Sequence, residues 1–180
     1  MLILRLSVVL LTVVFLGANV MSLPMASPSP QFAEVAAFTV IGLAVRTTNA
    51  REMSGKDGRI GPLWSQFMHG GATAIPGVVE PGTVYAVYSH YDSDETGPYD
   101  LILGKSVQPG QEAPLAMKSI SIPAARYLVF TATGNSPDAI KAAWTQVYEY
   151  FAQHKKERRV FSADFERHSS AGTRLFIAVR

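Results

Sequence analysis

Glu166, in the run Asp164-Phe165-Glu166, occurs in a chain with an unusual density of aromatic side chains. Tyr85, Tyr88, Tyr91 and Tyr99 fall in one stretch, and Tyr127, Trp144, Tyr148 and Tyr150 in another. A carboxylate walled by rings can do two kinds of chemistry. It can hold a flat cation, by ion pairing and through ring faces that attract positive charge. With its charged form disfavoured by desolvation, it can also act as a general acid or base. Alternation along a strand puts Asp164, Glu166 and His168 on one face and Phe161, Ala163 and Phe165 on the other. The alternative leaves Glu166 as a solvent-face carboxylate. The same alternation separates Tyr85 and Tyr91 from Tyr88, so one hairpin does not send all its tyrosines to one side.

Other chemistries lack their residues. The four histidines, His69, His90, His154 and His168, form no metal-binding spacing, and with no cysteine in the chain a metal site is not expected. There is no nucleophile elbow, no phosphate-binding glycine loop and no dinucleotide fingerprint, so no cofactor is expected. The acidic run Asp92-Ser93-Asp94-Glu95 lacks the glycine and distal glutamate of a calcium loop and reads as a solvated hairpin turn. Lys155, Lys156, Arg158 and Arg159 read as a solvated helix end, where cations are favoured by the helix dipole, rather than as a phosphate patch.

Elements must position these residues, and the chain repeats its own. Ile60, Leu63, Trp64, Ser65, Gln66 and Phe67 match Ile140, Ala143, Trp144, Thr145, Gln146 and Val147, eighty residues on. Such duplication places a ligand site where the copies meet. The first copy reads as a strand at 38–47, a helix at 59–69 closed by Gly70 and Gly71, and a hairpin of strands at 83–91 and 99–107. The second reads as a strand at 125–133, a helix at 137–153 with Ser136 as N-cap and Pro137 at its first position, and strands near 160–168 and 174–179. The expected fold is α+β: a duplicated β-α-β-β unit, with a mostly antiparallel sheet, two helices on one side and a central cleft between repeats at about 37–108 and 117–180.

With 180 residues, 48% of them hydrophobic, and a net charge of +2, the chain suits one domain with a full core. Residues 1–26 read separately, with Arg5, an apolar run at 6–16 and small residues before a Ser/Pro-rich stretch. That is the order of a signal peptide, or of an N-terminal anchor if left uncut after Ser22 or Ala26. Residues 27–36 read as a linker and 37–180 as the domain, which would be secreted or periplasmic.

Several spaced motifs together resemble the GyrI-like effector-binding domains. They are VYAVYSHYDSDETGPYDLILG at 84–104, IGPLWSQF at 60–67, IPAARYLVFTATG at 122–134 and the Asp164-Phe165-Glu166 motif. These domains serve AraC-type and MerR-type drug-responsive regulators, and also occur as stand-alone integron cassette proteins. The resemblance implies binding of lipophilic cations in a cleft between the copies, with Glu166 as the acidic residue and Trp64, Tyr88, Tyr91 and Trp144 as walls. The family usually carries an aromatic where this chain has His168.

An export-type segment stands where the regulators carry a helix-turn-helix, so nucleic acid is not an expected partner. The membrane is met only through the N-terminal segment. The leading expectation is an exported, stand-alone binder of an amphipathic cation. Two alternatives use the same scaffold: a hydrolase of strained electrophiles acting through Glu166, and a protein-interaction module with an open sheet edge.

Overall fold

The computed structural model describes residues 28–180. The segment read as a signal or anchor lies outside the described residues. Eight strands form one sheet, in which every pairing is antiparallel. In chain order the elements are β1 (Gln31–Val35), β2 (Phe38–Thr47), α1 (Asn49–Met53), α2 (Ile60–Met68), β3 (Val84–Ser89), β4 (Tyr99–Val107), β5 (Lys118–Ile122), β6 (Ala125–Thr131), α3 (Pro137–Gln153), β7 (Ala163–Ser169) and β8 (Gly172–Ala178). A short 3₁₀ turn at Gly71–Ala74 follows α2.

The strand order β1-β6-β8-β7-β3-β4-β2-β5 is the repeat written in space. One half holds β6, β8 and β7, the other β2, β4 and β3, and the halves join through β7 and β3. The expected β-α-β-β units are these halves. Each has one further strand, and the further strands are exchanged. β1 precedes β2 in sequence but pairs with β6, whereas β5 precedes β6 but pairs with β2. Residues 31–35, read as linker, are therefore the sheet's first edge. The segment Lys118–Ile122 buries Ile120 and Ile122 and exposes its serines, a period-two strand too short to stand out in the sequence.

Both helices pack on one face. In α2, Leu63 and Phe67 are buried in a cluster with Ile41, Leu43 and Leu103. In α3, Ala143 and Val147 are buried among Leu128, Phe130, Leu175 and Ile177. The two pairs are eighty residues apart, so the repeat preserves the contact as well as the words. Burying Phe67 or Leu63 stabilises the fold by about 1.5–3 kcal/mol each. Ser136 caps α3 by accepting from the Ala139 amide at 3.2 Å, with Pro137 in the first turn. No side chain of Arg59 caps α2. Instead Glu52, on the short helix α1, accepts from the Arg59 and Ile60 amides at 2.9 and 3.2 Å.

The opposite face carries a second core, around Tyr85, Val87, Ile102, Tyr127, Phe165 and Phe176. Phe165 and Phe176 stack with centroids 4.5 Å apart. The sheet curls around this cluster into a half-barrel. Gly42 and Gly104, paired on β2 and β4, lie too close for side chains: a Cβ on Gly42 would stand 2.0 Å from the Leu103 carbonyl oxygen.

Candidate functional site

The helices cover β2/β4 and β6/β8, and the central pair β3·β7 forms the floor between them. Trp64 and Trp144 each follow a buried helix residue by one position and pack, partly buried, against the cluster that holds Tyr88. On the floor, Ala86 pairs with Glu166 and Tyr88 with Asp164.

Glu166 is 3% exposed. Its Oε1 accepts the Tyr88 hydroxyl at 2.7 Å and the Trp144 indole N–H at 2.6 Å. Its Oε2 lies 2.7 Å from Nε2 of His168. Burial, with the charge of Glu166 behind it, pushes the Tyr88 phenol well above its usual range. Tyr88 therefore stays protonated and donates. Three of the anticipated residues, Glu166, Tyr88 and Trp144, thus meet directly. Trp64 joins through His168, whose ring it meets edge-on at 4.9 Å and 77°.

Tyr91 departs from the strand alternation. It lies on the same side as Tyr88, because β3 ends at Ser89 and His90 takes a left-handed φ of 48° that cancels the alternation. Its hydroxyl donates to Asp164 Oδ2 at 3.0 Å, not to Glu166. Burial, then the Asp164 charge, holds its phenol protonated. Tyr99 bridges the two tyrosines, with centroids 5.6 Å from Tyr88 and 5.7 Å from Tyr91. Its hydroxyl reaches Asn49, which also holds Tyr148. Tyr148 in turn stacks on Trp144.

A second carboxylate lies two residues before the first on the same strand. Asp164 is fully buried and accepts from Arg159 at 2.7 Å and from the Ala178 amide at 2.8 Å. Arg159 is not part of a solvated helix end, as the sequence suggested. Its side chain is 6% exposed and also reaches Glu95 at 3.3 Å. Glu95 and Asp92, which pairs with Arg46, tie the acidic turn to the body rather than leaving it wholly to solvent. Phe161 lies beneath the Arg159 guanidinium and against Tyr91, with a φ of 55° that takes it out of the strand alternation. Alternation marks Asp164 and His168 as neighbours of Glu166, but nothing local in the sequence marks Arg159 as the partner of Asp164.

The arrangement holds one carboxylate, desolvated and hydrogen-bonded, beneath aromatic rings from both repeats. It suits recognition of a flat, positively charged or hydrogen-bonding small molecule. Among the described residues no group of three or more acidic, histidine or cysteine side chains is placed to hold a metal.

Comparison with known proteins agrees with this geometry. The Vibrio cholerae integron cassette protein VCH_CASS2 has the same fold at a TM-score of 0.71 and 32% identity, over 86% of this chain and 97% of that one. The structure of SAV2435 bound to tetraphenylphosphonium shares the fold at a TM-score of 0.66 and 16% identity, over 85% of this chain and 94% of that one. The Bacillus subtilis (strain 168) protein YobU is 30% identical over 127 residues, which is 69% of this chain and 77% of YobU. The model of the Cass2 family, described as integron-associated effector binding protein, matches residues 31–179. The chain belongs to this family of small-molecule effector-binding proteins and shares the GyrI-like fold of regulator effector domains.

Proposed function

We propose that the protein binds an amphipathic cation in the cleft between its repeats, with Glu166 as the counter-charge and Trp64, Trp144 and Tyr88 as the walls. The observation that carries this reading is the buried Glu166 carboxylate, held by donors from both halves on the floor between two tryptophan-bearing helices. A negative charge out of water attracts a cation more strongly than one in water, and ring faces add to it. The tetraphenylphosphonium complex of SAV2435 supports the ligand class. Tyr88, Trp144 and His168 cover the carboxylate, so a ligand reaches it by moving one of them.

The test is a titration with tetraphenylphosphonium and with a neutral triaryl phosphine oxide, followed by tryptophan fluorescence. The cation should bind at least about tenfold more tightly, and Glu166→Gln should remove that preference. Equal binding of the two compounds, or an unchanged preference in the variant, would refute it.

The proposal extends to export, on the strength of Arg5 and the apolar run that follows it. Among the described residues no helix is long and apolar enough to cross a membrane. Cell fractionation with N-terminal sequencing of the mature chain tests this part.

A second reading, hydrolysis of a strained electrophile, draws on one observation: a tyrosine hydroxyl stands 2.7 Å from a buried carboxylate that also meets a histidine. Glu166 would act as base and Tyr88 as proton donor. Product analysis with an epoxide, comparing the native chain with Glu166→Gln, decides it.

A further inference from the structure

Glu166 already has a partner of the kind its proposed ligand would supply. Nε2 of His168 lies 2.7 Å from Oε2, and Nδ1 lies 3.0 Å from the Thr173 hydroxyl. Thr173 in turn donates to Asn135 Oδ1 at 3.1 Å. A hydroxyl has one hydrogen, and here it goes to the amide oxygen, so Thr173 presents a lone pair to Nδ1. Nδ1 therefore carries a hydrogen. On the other side the 2.7 Å approach of Nε2 to Oε2 is a hydrogen bond, which needs one proton between the two atoms. Whichever atom holds it, the pair has no net charge: a carboxylate facing an imidazolium, or a carboxyl facing a neutral ring.

Among the described residues, the partners named for His168 add no other charge. His168 meets Glu166 on its own strand, Thr173 on β8, Asn135 in the loop before α3 and the edge of Trp64 from α2, and it is paired with Val84 of β3. Glu166 is the one ionisable group among these partners. The histidine side chain is 15% exposed against 4% for Glu166, so it stands nearer the mouth of the cleft.

We propose that His168 is the internal counter-ion of Glu166, and that a cationic ligand binds in exchange for the proton that His168 and Glu166 share. The inference rests on the cation-binding reading above. Charge balances: a neutral pair plus a monocation gives a carboxylate, a neutral histidine and the bound cation, with one proton released to solvent. Binding is then coupled to pH. The cleft favours cations where the proton has left the pair and disfavours them where the pair holds it. His168 thereby sets specificity as well: with the proton in place the cleft is electrically neutral and suits uncharged ligands.

Calorimetric titration of the full chain with tetraphenylphosphonium, in buffers of different ionisation heat from pH 5 to 9, tests the exchange. About one proton should leave per cation bound on the acid side, with affinity rising about tenfold per pH unit there and levelling above. His168→Phe, and His168→Gln as a variant that keeps a hydrogen bond, should bind without proton release and with a flat profile. On saturation the ring ¹⁵N shifts of His168 should move to those of a neutral imidazole. Cation binding with no proton release, or the same profile in both variants, overturns the counter-ion role while leaving cation binding intact. Failure of tetraphenylphosphonium to bind the native chain or either variant at any pH overturns both.

Discussion

Trp144 and Tyr88 donate to the same atom, Oε1 of Glu166, from opposite repeats of the chain. Their rings meet edge to face at 5.0 Å and 70°. The indole comes from the helix of the second repeat and the phenol from the central strand of the first. Oε1 is thus shared between the repeats, which makes the site a property of the pair.

Removing one donor tests that dependence. Tyr88→Phe keeps the ring and leaves Oε1 with Trp144 alone. Losing a hydrogen bond to a buried charged group costs about 1–3 kcal/mol, which urea unfolding would resolve. A change below about 0.5 kcal/mol would mean that water replaces the hydroxyl and that the carboxylate is less enclosed than described.

Arg159 is expected to be more sensitive. It is the cation that faces fully buried Asp164, and removing one partner of a buried ion pair leaves an uncompensated charge. Arg159→Met should cost about 3–5 kcal/mol. Adding Asp164→Asn to it should recover part of the loss, because the amide needs no counter-charge. If the single variant is as stable as the native chain, the ion pair has no stabilising role.

Alkaline titration should be late and cooperative. All seven tyrosines have phenols raised above their ordinary value, in each case with burial as the largest cause, and Tyr127 is pushed up to about 12. The fold favours the neutral phenol. The stability this represents is complete below the unfolded value of about 10 and is lost as pH rises through the folded values. Phenolate absorbance near 295 nm should therefore lag behind a free-tyrosine curve and rise together with the loss of circular dichroism. Most of the absorbance appearing near pH 10 with the fold intact would contradict the burial.

Deleting residues 28–36 removes β1 and leaves β6 as a bare edge. Val35 packs against the second core, and the Arg126 guanidinium lies over the Phe32 ring. The shortened chain should lose roughly 2 kcal/mol or more and associate as its concentration rises, since an unpaired strand invites edge pairing. Thermal unfolding and sedimentation would show both effects. A monomer of unchanged melting temperature would make β1 dispensable.

Much of the scaffold could be read from local pattern. The tryptophan-glutamine words fixed two equivalent helices, Ser136-Pro137 marked the start of α3, and the tyrosine-rich run marked the β3·β4 hairpin. What could not be read depends on partners distant in sequence. Five residues such as Lys118–Ile122 alternate correctly but do not say which strand they join. Residues 31–35, between a Ser/Pro-rich stretch and β2, did not announce themselves as an edge. Alternation separates Tyr91 from Tyr88 because it assumes an unbroken strand, and one histidine is too weak a signal for the left-handed turn at His90. Arg159 looked like one more surface cation, since its partner Asp164 is identifiable only once β7 is in place.

The exchange of β1 and β5 limits how the cleft can adapt. Each half holds an outer strand of the other through five residue pairs, and the halves join at the centre through six more. Opening the two repeats like jaws would break ladders at three places in one continuous sheet. The sheet acts as a chassis of fixed width. For the proposed ligand site, accommodation of different girths would then fall to rotation of Trp64, Trp144 and His168, and selectivity would be a matter of rotamers rather than of domain closure.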